Sequence, residues 1–190
     1  LGGWNFGGWN EQENGRGNLY QPGGTLTLNS GDNKPLYAQW YRVNSDGSIT
    51  VPGKDGNPNT PDNNATANGN GTESPERKDT GEIKIPNGGS VTTGSGETIP
   101  LPNGGILKPD GTVIINRPEG GTITVPGTDG TNPDVTTPDG SPDAGKTVVE
   151  ILYESNNPQN KTIRSYAVVG DTIKLLPSTS FVYDGYQFLN

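Results

Sequence analysis

An eight-residue spacing of aliphatic residues is the feature that most restricts the fold of this chain. A turn signal such as NGG, GSG, PDG or EGG follows each aliphatic position between residues 83 and 123. This spacing leaves room for strands of about five residues and turns of about three, and it fits no helical period. We therefore predict an all-β fold. The aliphatic positions are Ile83, Val91, Ile99, Leu107, Ile115 and Ile123.

The same stretch also shows a 16-residue repeat. The sequences IKIPNGGSV, IPLPNGGIL and INRPEGGTI begin at residues 83, 99 and 115. Two architectures fit residues 81–127, a flat up-and-down meander or a small β-solenoid. In a solenoid, each coil would stack Ile83 over Ile99 over Ile115. The sequence leaves this choice open.

Acidic stretches rich in Gly, Pro and Asn flank the repeat. Residues 54–80 contain no Val, Ile, Leu, Met or aromatic residue. Such a stretch buries too little apolar surface to offset an ordering entropy of roughly 1–2 kcal/mol per residue. We predict linkers at residues 44–80 and 128–145.

The aromatic residues lie only in the two terminal parts of the chain, the front segment (residues 1–43) and the back segment (residues 146–190). None occurs between Tyr41 and Tyr153. Large rings supply much of the buried area of a core, so any aromatic core must come from these two segments. Alternation and β-branched content predict strands at 23–28, 34–43, 146–155 and 161–169, and a further extended stretch at 172–177.

The front segment contains GWNFGGW from Gly3 to Trp9, YQPG from Tyr20 to Gly23, and LYAQW from Leu36 to Trp40. In this order the motifs resemble the later part of an internalin-type B repeat, also called the Listeria–Bacteroides repeat, with Trp4 where Tyr is usual. The back segment resembles the earlier part of the same repeat, and GYQF at Gly185 begins the phrase again. The resemblance implies a small β-grasp-like domain, extracellular and located on the bacterial surface, with no catalytic residue and no cofactor.

The two parts of the repeat stand in reverse order, so neither is a complete domain, and each would leave an unpaired strand edge and exposed rings. Either a longer chain repeats this unit, or separate subunits polymerise head-to-tail, the back segment of one completing the front segment of the next. The residues expected to complete a shared core are Trp4, Phe6, Trp9, Tyr37, Trp40, Tyr153, Tyr186 and Phe188.

Charge and composition exclude several functional classes. Residues 44–145 hold 6 basic and 14 acidic residues, whereas the front and back segments are neutral. A chain with this negative net charge offers no basic surface for binding nucleic acid. No stretch is apolar enough to span a membrane. With no Cys or His, catalysis would depend on carboxylates, and these lie in turns and linkers rather than in an apolar pocket. We therefore predict no enzymatic activity.

Oxygen-rich turns raise the question of calcium. The candidate ligands are Asp55, Asn57, Asn59, Asp129 and Asp134, but their spacing does not match an EF-hand loop, and turn chemistry explains these residues equally well. We predict no cofactor. The leading hypothesis is a structural segment of a surface stalk, fibre or adhesin. The alternative is a module that binds a glycan or a host protein and is carried on a spacer.

Overall fold

A computed structural model describes residues 2–127, 133–181 and 183–185. These residues form strands and two single-turn 3₁₀ helices, Pro61–Asn63 and Ser178–Ser180, so the all-β prediction is confirmed. The strands are β1 Asn5–Asn10, β2 Leu19–Tyr20, β3 Tyr37–Val43, β4 Ile49–Val51, β5 Ala65–Asn68, β6 Glu76–Arg77, β7 Ile83–Ile85, β8 Gly89–Thr93, β9 Thr98–Leu101, β10 Gly105–Leu107, β11 Val113–Asn116, β12 Thr122–Val125, β13 Asp134–Thr136, β14 Val148–Glu154 and β15 Thr162–Val168.

The strands form two sheets around one core. The nine-stranded sheet has the order β14-β15-β9-β8-β5-β4-β3-β1-β2, and the six-stranded sheet has the order β13-β12-β11-β10-β7-β6. Within the described residues, neighbouring strands are antiparallel except β15 and β9, which form one parallel pair. Aliphatic side chains from both sheets form a single buried cluster. Its members include Ile49, Val51, Val91, Leu101 and Val168 from the first sheet and Ile83, Ile85, Leu107, Val113 and Ile123 from the second.

A recurring five-residue turn explains the regular glycine spacing. In the turn between β10 and β11, the Thr112 carbonyl accepts a hydrogen bond from the Lys108 N–H at 2.9 Å, and the Lys108 carbonyl accepts one from the Gly111 N–H at 3.0 Å. Gly111 has φ +83°, which glycine adopts without steric cost. The same pair of bonds closes the turns that begin at Asn44, Lys78, Thr93, Arg117 and Thr137.

The PNGG sequences carry the chain between sheets. Residues 86–89 lead from β7 in the six-stranded sheet to β8 in the nine-stranded sheet, and residues 102–105 lead back from β9 to β10. In contrast, PEGG at residues 118–121 forms an ordinary hairpin between β11 and β12. The meander alternative therefore describes β10 to β13, whereas β7 lies in the six-stranded sheet and the following β8 and β9 lie in the nine-stranded sheet.

The solenoid alternative, in which Ile83 would stack over Ile99 and Ile115, does not describe this structure. Ile83 and Ile115 lie in the six-stranded sheet, whereas Ile99 lies in the nine-stranded sheet. The reason is that each of the first two 16-residue units combines one PNGG passage, which changes the sheet, with one hairpin turn, which keeps the chain in its sheet. Equivalent residues in successive units therefore alternate between sheets instead of stacking.

The stretches expected to be linkers belong to the folded body. Residues 44–80 contain β4, β5 and β6, and Ala65 and Ala67 are buried in the core. The low apolar content was misleading because small alanines fill the narrow space between sheets, while the main chain of β5 pairs with β4 and β8. In residues 128–145, strand β13 pairs with β12, and its Val135 is also buried.

Candidate functional site: the two ends of the nine-stranded sheet

The front and back segments lie at opposite ends of the nine-stranded sheet. Strands β1, β2 and β3 form one end, and the β14–β15 hairpin forms the other. Four strands lie between them, so β15 and β3 are roughly 24 Å apart at about 4.8 Å per neighbouring pair. The front members of the predicted core-completing set therefore do not meet Tyr153, the described member of the back set, within one chain.

Aromatic rings form an exposed cluster at the front end, which we call the front cluster: Trp4, Phe6, Trp9 and Trp40. The Phe6 ring meets the Trp9 ring edge-to-face with centroids 5.1 Å apart, and it meets the Trp40 ring at 5.8 Å. The guanidinium of Arg42 lies 5.2 Å from the centre of the Trp4 ring. Phe6 and Trp9 remain exposed, so the cluster presents aromatic surface to solvent.

A β-bulge brings these rings to one side of β1. Residues three apart on a regular strand point to opposite faces, but the register between β1 and β3 shifts between Phe6 and Gly8. The extra residue allows Phe6 and Trp9 to contact each other. Gly8 at the bulge has φ +129°, and a Cβ there would lie 2.6 Å from the Tyr20 carbonyl oxygen.

Buried polar contacts fix the front segment to the body. Asn10 is fully buried; its amide nitrogen donates to the carbonyls of Gly15 and Gly17, and its oxygen accepts from the Gln12 N–H. Arg16 forms an ion pair with Asp110 in the turn between β10 and β11, with Nε and Oδ2 2.6 Å apart. These residues were not predicted, because their partners are distant or lie in irregular loops.

Arg77 provides a second attachment. Its Nη2 donates to the Gly7 carbonyl at 3.0 Å, and its guanidinium lies 4.4 Å from the centre of the Tyr41 ring. Burial lowers the pKa of Arg77 below its ordinary value. Because Arg77 belongs to β6, this contact joins the bulge of β1 to the six-stranded sheet.

The back end carries an apolar groove of about 520 Å³, which we call the back groove. One face of the β14–β15 hairpin, the stretch 171–177 and the turn between β11 and β12 line it. Tyr153 contributes to this lining, whereas the predicted core-completing residues Tyr186 and Phe188 lie outside the described residues. The main apolar contributors are Ile115, Ile123, Ile151, Tyr153, Ile173 and Leu175.

Arg117 lines the same groove, and its side chain is only 8 % exposed. Its guanidinium pairs with Glu119 and lies 3.8 Å from Asp171, but its Nε is buried and has no hydrogen-bond partner in the described part of the chain. A buried donor without an acceptor costs about 1–3 kcal/mol. The back groove therefore holds one unsatisfied donor in mainly apolar surroundings.

Each end also has a stretch with strand-like alternation that joins neither sheet. The strand predicted at 23–28 does not form, and Thr172–Leu176 is likewise unpaired. Within the described residues, neither Thr25–Leu28 nor Thr172–Leu176 makes a main-chain hydrogen bond. Leu28 and Leu175 have the highest exposed fractions among the exposed large apolar side chains, 66 % and 69 %. Both ends therefore present unpaired main chain beside exposed leucines.

The back hairpin is attached to the body by few polar contacts. Within the described part of the chain, β15 and β9 share one main-chain pair, Ile163 with Thr98. Arg164 bridges Glu97, at 2.6 Å, and Glu150, and its hydrogen bonds to these carboxylates raise the pKa of Arg164. Val148, Tyr166 and Val168 add apolar contacts to the core.

Two of the candidate calcium ligands, Asp55 and Asn57, already accept hydrogen bonds from neighbouring residues. Asp55 accepts hydrogen bonds from the Asn57 N–H, the Thr60 hydroxyl and the Asn63 amide, and Asn57 accepts one from the Asn59 N–H. Asp134 lies on β13, and Asp129 lies outside the described residues. Residues 2–127, 133–181 and 183–185 contain no group of three or more acidic side chains that could hold a metal ion.

Comparison with known proteins identifies no relative. No family model, no curated protein and no solved structure matches the chain. Among the described residues, no helix has the length and apolar character needed to cross a membrane.

Proposed function

We propose that this chain is a structural unit of an extracellular bacterial surface stalk, fibre or adhesin, and that it joins neighbouring units head-to-tail. The observation that carries this proposal is the position of the front and back segments at opposite ends of one nine-stranded sheet. Each end exposes apolar side chains that remain without a partner surface in the described chain.

The resemblance to a B repeat supports a contact between unlike ends. The front segment is similar to the later part of the repeat, and the back segment to the earlier part, so the front of one unit complements the back of the next. A contact between two different surfaces does not need to close on itself and therefore produces linear arrays. The neighbour is another unit of the same kind, in the same chain or in a separate subunit.

The charge distribution also favours contact through the ends. The whole formal charge of −8 lies on residues 44–145, and the front and back segments are neutral. Side-by-side packing would bring the acidic middle parts together, whereas end-to-end contact keeps them apart and avoids this repulsion.

Size-exclusion chromatography with light scattering, run over a wide range of protein concentrations, tests the proposal. We expect the mass to rise in steps above 19.9 kDa, and small-angle scattering to show particles that lengthen without thickening. A mass that remains at one unit at millimolar concentration would contradict head-to-tail assembly of separate copies. A compact dimer that grows no further would indicate a symmetric contact between like ends.

The front cluster supports a second function, the binding of a glycan or a host protein. Its exposed rings and Arg42 offer flat apolar surface beside a charged donor, a combination suited to ligands with apolar and polar faces. A glycan array with tryptophan fluorescence titration tests this function. A specific hit abolished by Trp9→Ala and retained in Val43→Ala would favour ligand binding over assembly as the role of these rings.

A further inference from the structure

The stretches Thr25–Leu28 and Thr172–Leu176 are the two unpaired apolar segments at opposite ends of the sheet. We propose that they pair with each other between copies: Thr25–Leu28 of one copy adds as a strand beside Thr172–Leu176 of the next and brings its leucines to the back groove. This inference rests on the proposed head-to-tail function and names the segments that form the contact.

Main-chain chemistry favours this pairing. Among the described residues, the N–H and C=O groups of both segments have no main-chain partner, and such groups are a ready template for strand addition. Both also carry apolar residues two positions apart, Leu26 and Leu28 in one, Ile173 and Leu175 in the other. Alternate residues of a strand share a face, so each segment can direct a pair of apolar side chains toward the same surface.

The back groove supplies that surface. Close-packed interiors contain few voids larger than a water molecule, and 520 Å³ falls in the range of roughly 300–1,000 Å³ typical of ligand pockets. Its lining is mainly apolar, with Ile151, Ile173 and Leu175 among its members. An apolar strand therefore matches this lining.

The partner segment must come from a second copy. Within one chain the two segments belong to opposite ends of the nine-stranded sheet, which are separated by four strands. The front and back segments carry no net charge, so no overall repulsion opposes their approach.

Disulfide trapping tests the pairing directly, because the natural chain has no cysteine. Copies with Thr27→Cys are mixed with copies with Lys174→Cys under mild oxidation, and neighbouring positions in both segments are scanned to find the register. Paired strands bring Cα atoms to about 4.5–5.5 Å, within the range that a disulfide spans. We expect a covalent heterodimer to form at least tenfold faster than in the control pair Val43→Cys and Val169→Cys, residues that are both 55 % exposed and lie outside the two segments.

Variants in which a glutamate blocks one of the two segments test the pairing through the size of the assemblies. Leu28→Glu and Leu175→Glu should each remain monomeric alone, whereas their 1:1 mixture should stop at a dimer, because only one pair of intact ends remains. Val43→Glu and Val169→Glu should assemble like the natural chain. Since all four side chains are exposed, an unchanged urea midpoint checks that the variants fold.

The outcomes separate this inference from the proposed function. If natural copies assemble but the blocked variants assemble equally well and trapping does not exceed the control, the strand pairing is wrong while head-to-tail assembly stands. If natural copies remain monomeric at millimolar concentration, both the strand pairing between copies and the head-to-tail assembly of separate copies fail.

Discussion

Substitution of Gly105 by alanine tests how closely the two sheets approach. Gly105 ends the second PNGG passage, where the chain enters β10. An added Cβ would lie 2.1 Å from the Ile114 carbonyl oxygen and 2.4 Å from Cδ2 of Leu101. Ordinary contacts between carbon atoms are about 3.5–4.0 Å. Both neighbours would therefore have to move by roughly an ångström or more to restore an ordinary contact.

Neither neighbour has room to move. Ile114 lies on β11, which pairs with β10 on one side and β12 on the other, and Leu101 is completely buried. Overpacking of a close-packed core costs about 1–3 kcal/mol, and the lower entropy of the unfolded alanine variant offsets about 0.4–1 kcal/mol. We expect a net loss of about 1–2 kcal/mol, or a Tm lower by roughly 2–8 °C at this chain length.

Urea unfolding and calorimetry of Gly105→Ala measure this loss, and two glycines provide controls. Gly145→Ala adds a methyl group to open space and should change stability by less than about 0.5 kcal/mol. Gly96 also faces open space but has φ +88°, so Gly96→Ala should lose only the conformational cost of about 1–2 kcal/mol. If Gly105→Ala proved as stable as Gly145→Ala, the sheets would not pack this closely at the passage.

Three further predictions concern other parts of the molecule. Ala67→Asp places a charge at a completely buried position and should lower the free energy of unfolding in urea by more than about 3 kcal/mol. Thr72 is exposed in the same stretch, so Thr72→Asp should leave stability unchanged. Equal effects of the two substitutions would mean that the stretch is a linker. Arg164→Met should lower stability by about 1 kcal/mol and speed amide exchange in β14, as read by mass spectrometry, and unchanged exchange would show that the bridge to Glu97 is unimportant. Partial burial raises the pKa of Asp55, but hydrogen bonds from Thr60, Asn57 and Asn63 bring this pKa below its ordinary value. The stabilisation is therefore present above about pH 4 and is lost as the pH falls through the folded-state pKa. Amide-exchange protection across residues 55–63, taken relative to the intrinsic exchange rate at each pH, should fall in acid, and it should fall less in Asp55→Asn.

Local sequence patterns predicted that the chain forms strands, but they did not predict which strands share a sheet. The eight-residue spacing marked strands and turns because the turn that holds Gly111 needs a glycine at a fixed offset. Two similar phrases, PNGG at 102–105 and PEGG at 118–121, have different outcomes, since one changes the sheet and the other forms a hairpin. Side-chain alternation indicates that a residue is buried, but it does not show which distant strand will be its neighbour.

The sequence also did not indicate that small residues would be buried. Ala65 and Ala67 contribute little apolar area, so a count of large hydrophobic residues classified their stretch as a linker. Their alternation with Thr66 and Asn68 on β5 was the available signal, but it is weak over four residues. The space between two sheets, a property of the assembled fold, determines that alanine fits there.

The candidate site was partly predictable. Aromatic motifs identified Phe6, Trp9, Trp40 and Tyr153, and the structure brings the first three together and places the fourth in the back groove. The prediction missed Arg117, because its burial depends on the turn between β11 and β12 and the distant stretch 171–177. Alternation in TLTL and TIKLL predicted extended chain there, but no local pattern reveals that a strand lacks a partner.

The arrangement of strands also determines how the molecule responds to tension. A pull between the two ends crosses the nine-stranded sheet, so the ladders carry the load in series and the weakest yields first. That ladder joins β15 to β9 through one main-chain pair, whereas β14 and β15 share seven. The hairpin would detach as a unit and extend the chain between Thr136 and Val148 by up to roughly 40 Å, while the two-sheet body remains folded. The back hairpin would therefore detach under a lower force than the force that unfolds the core.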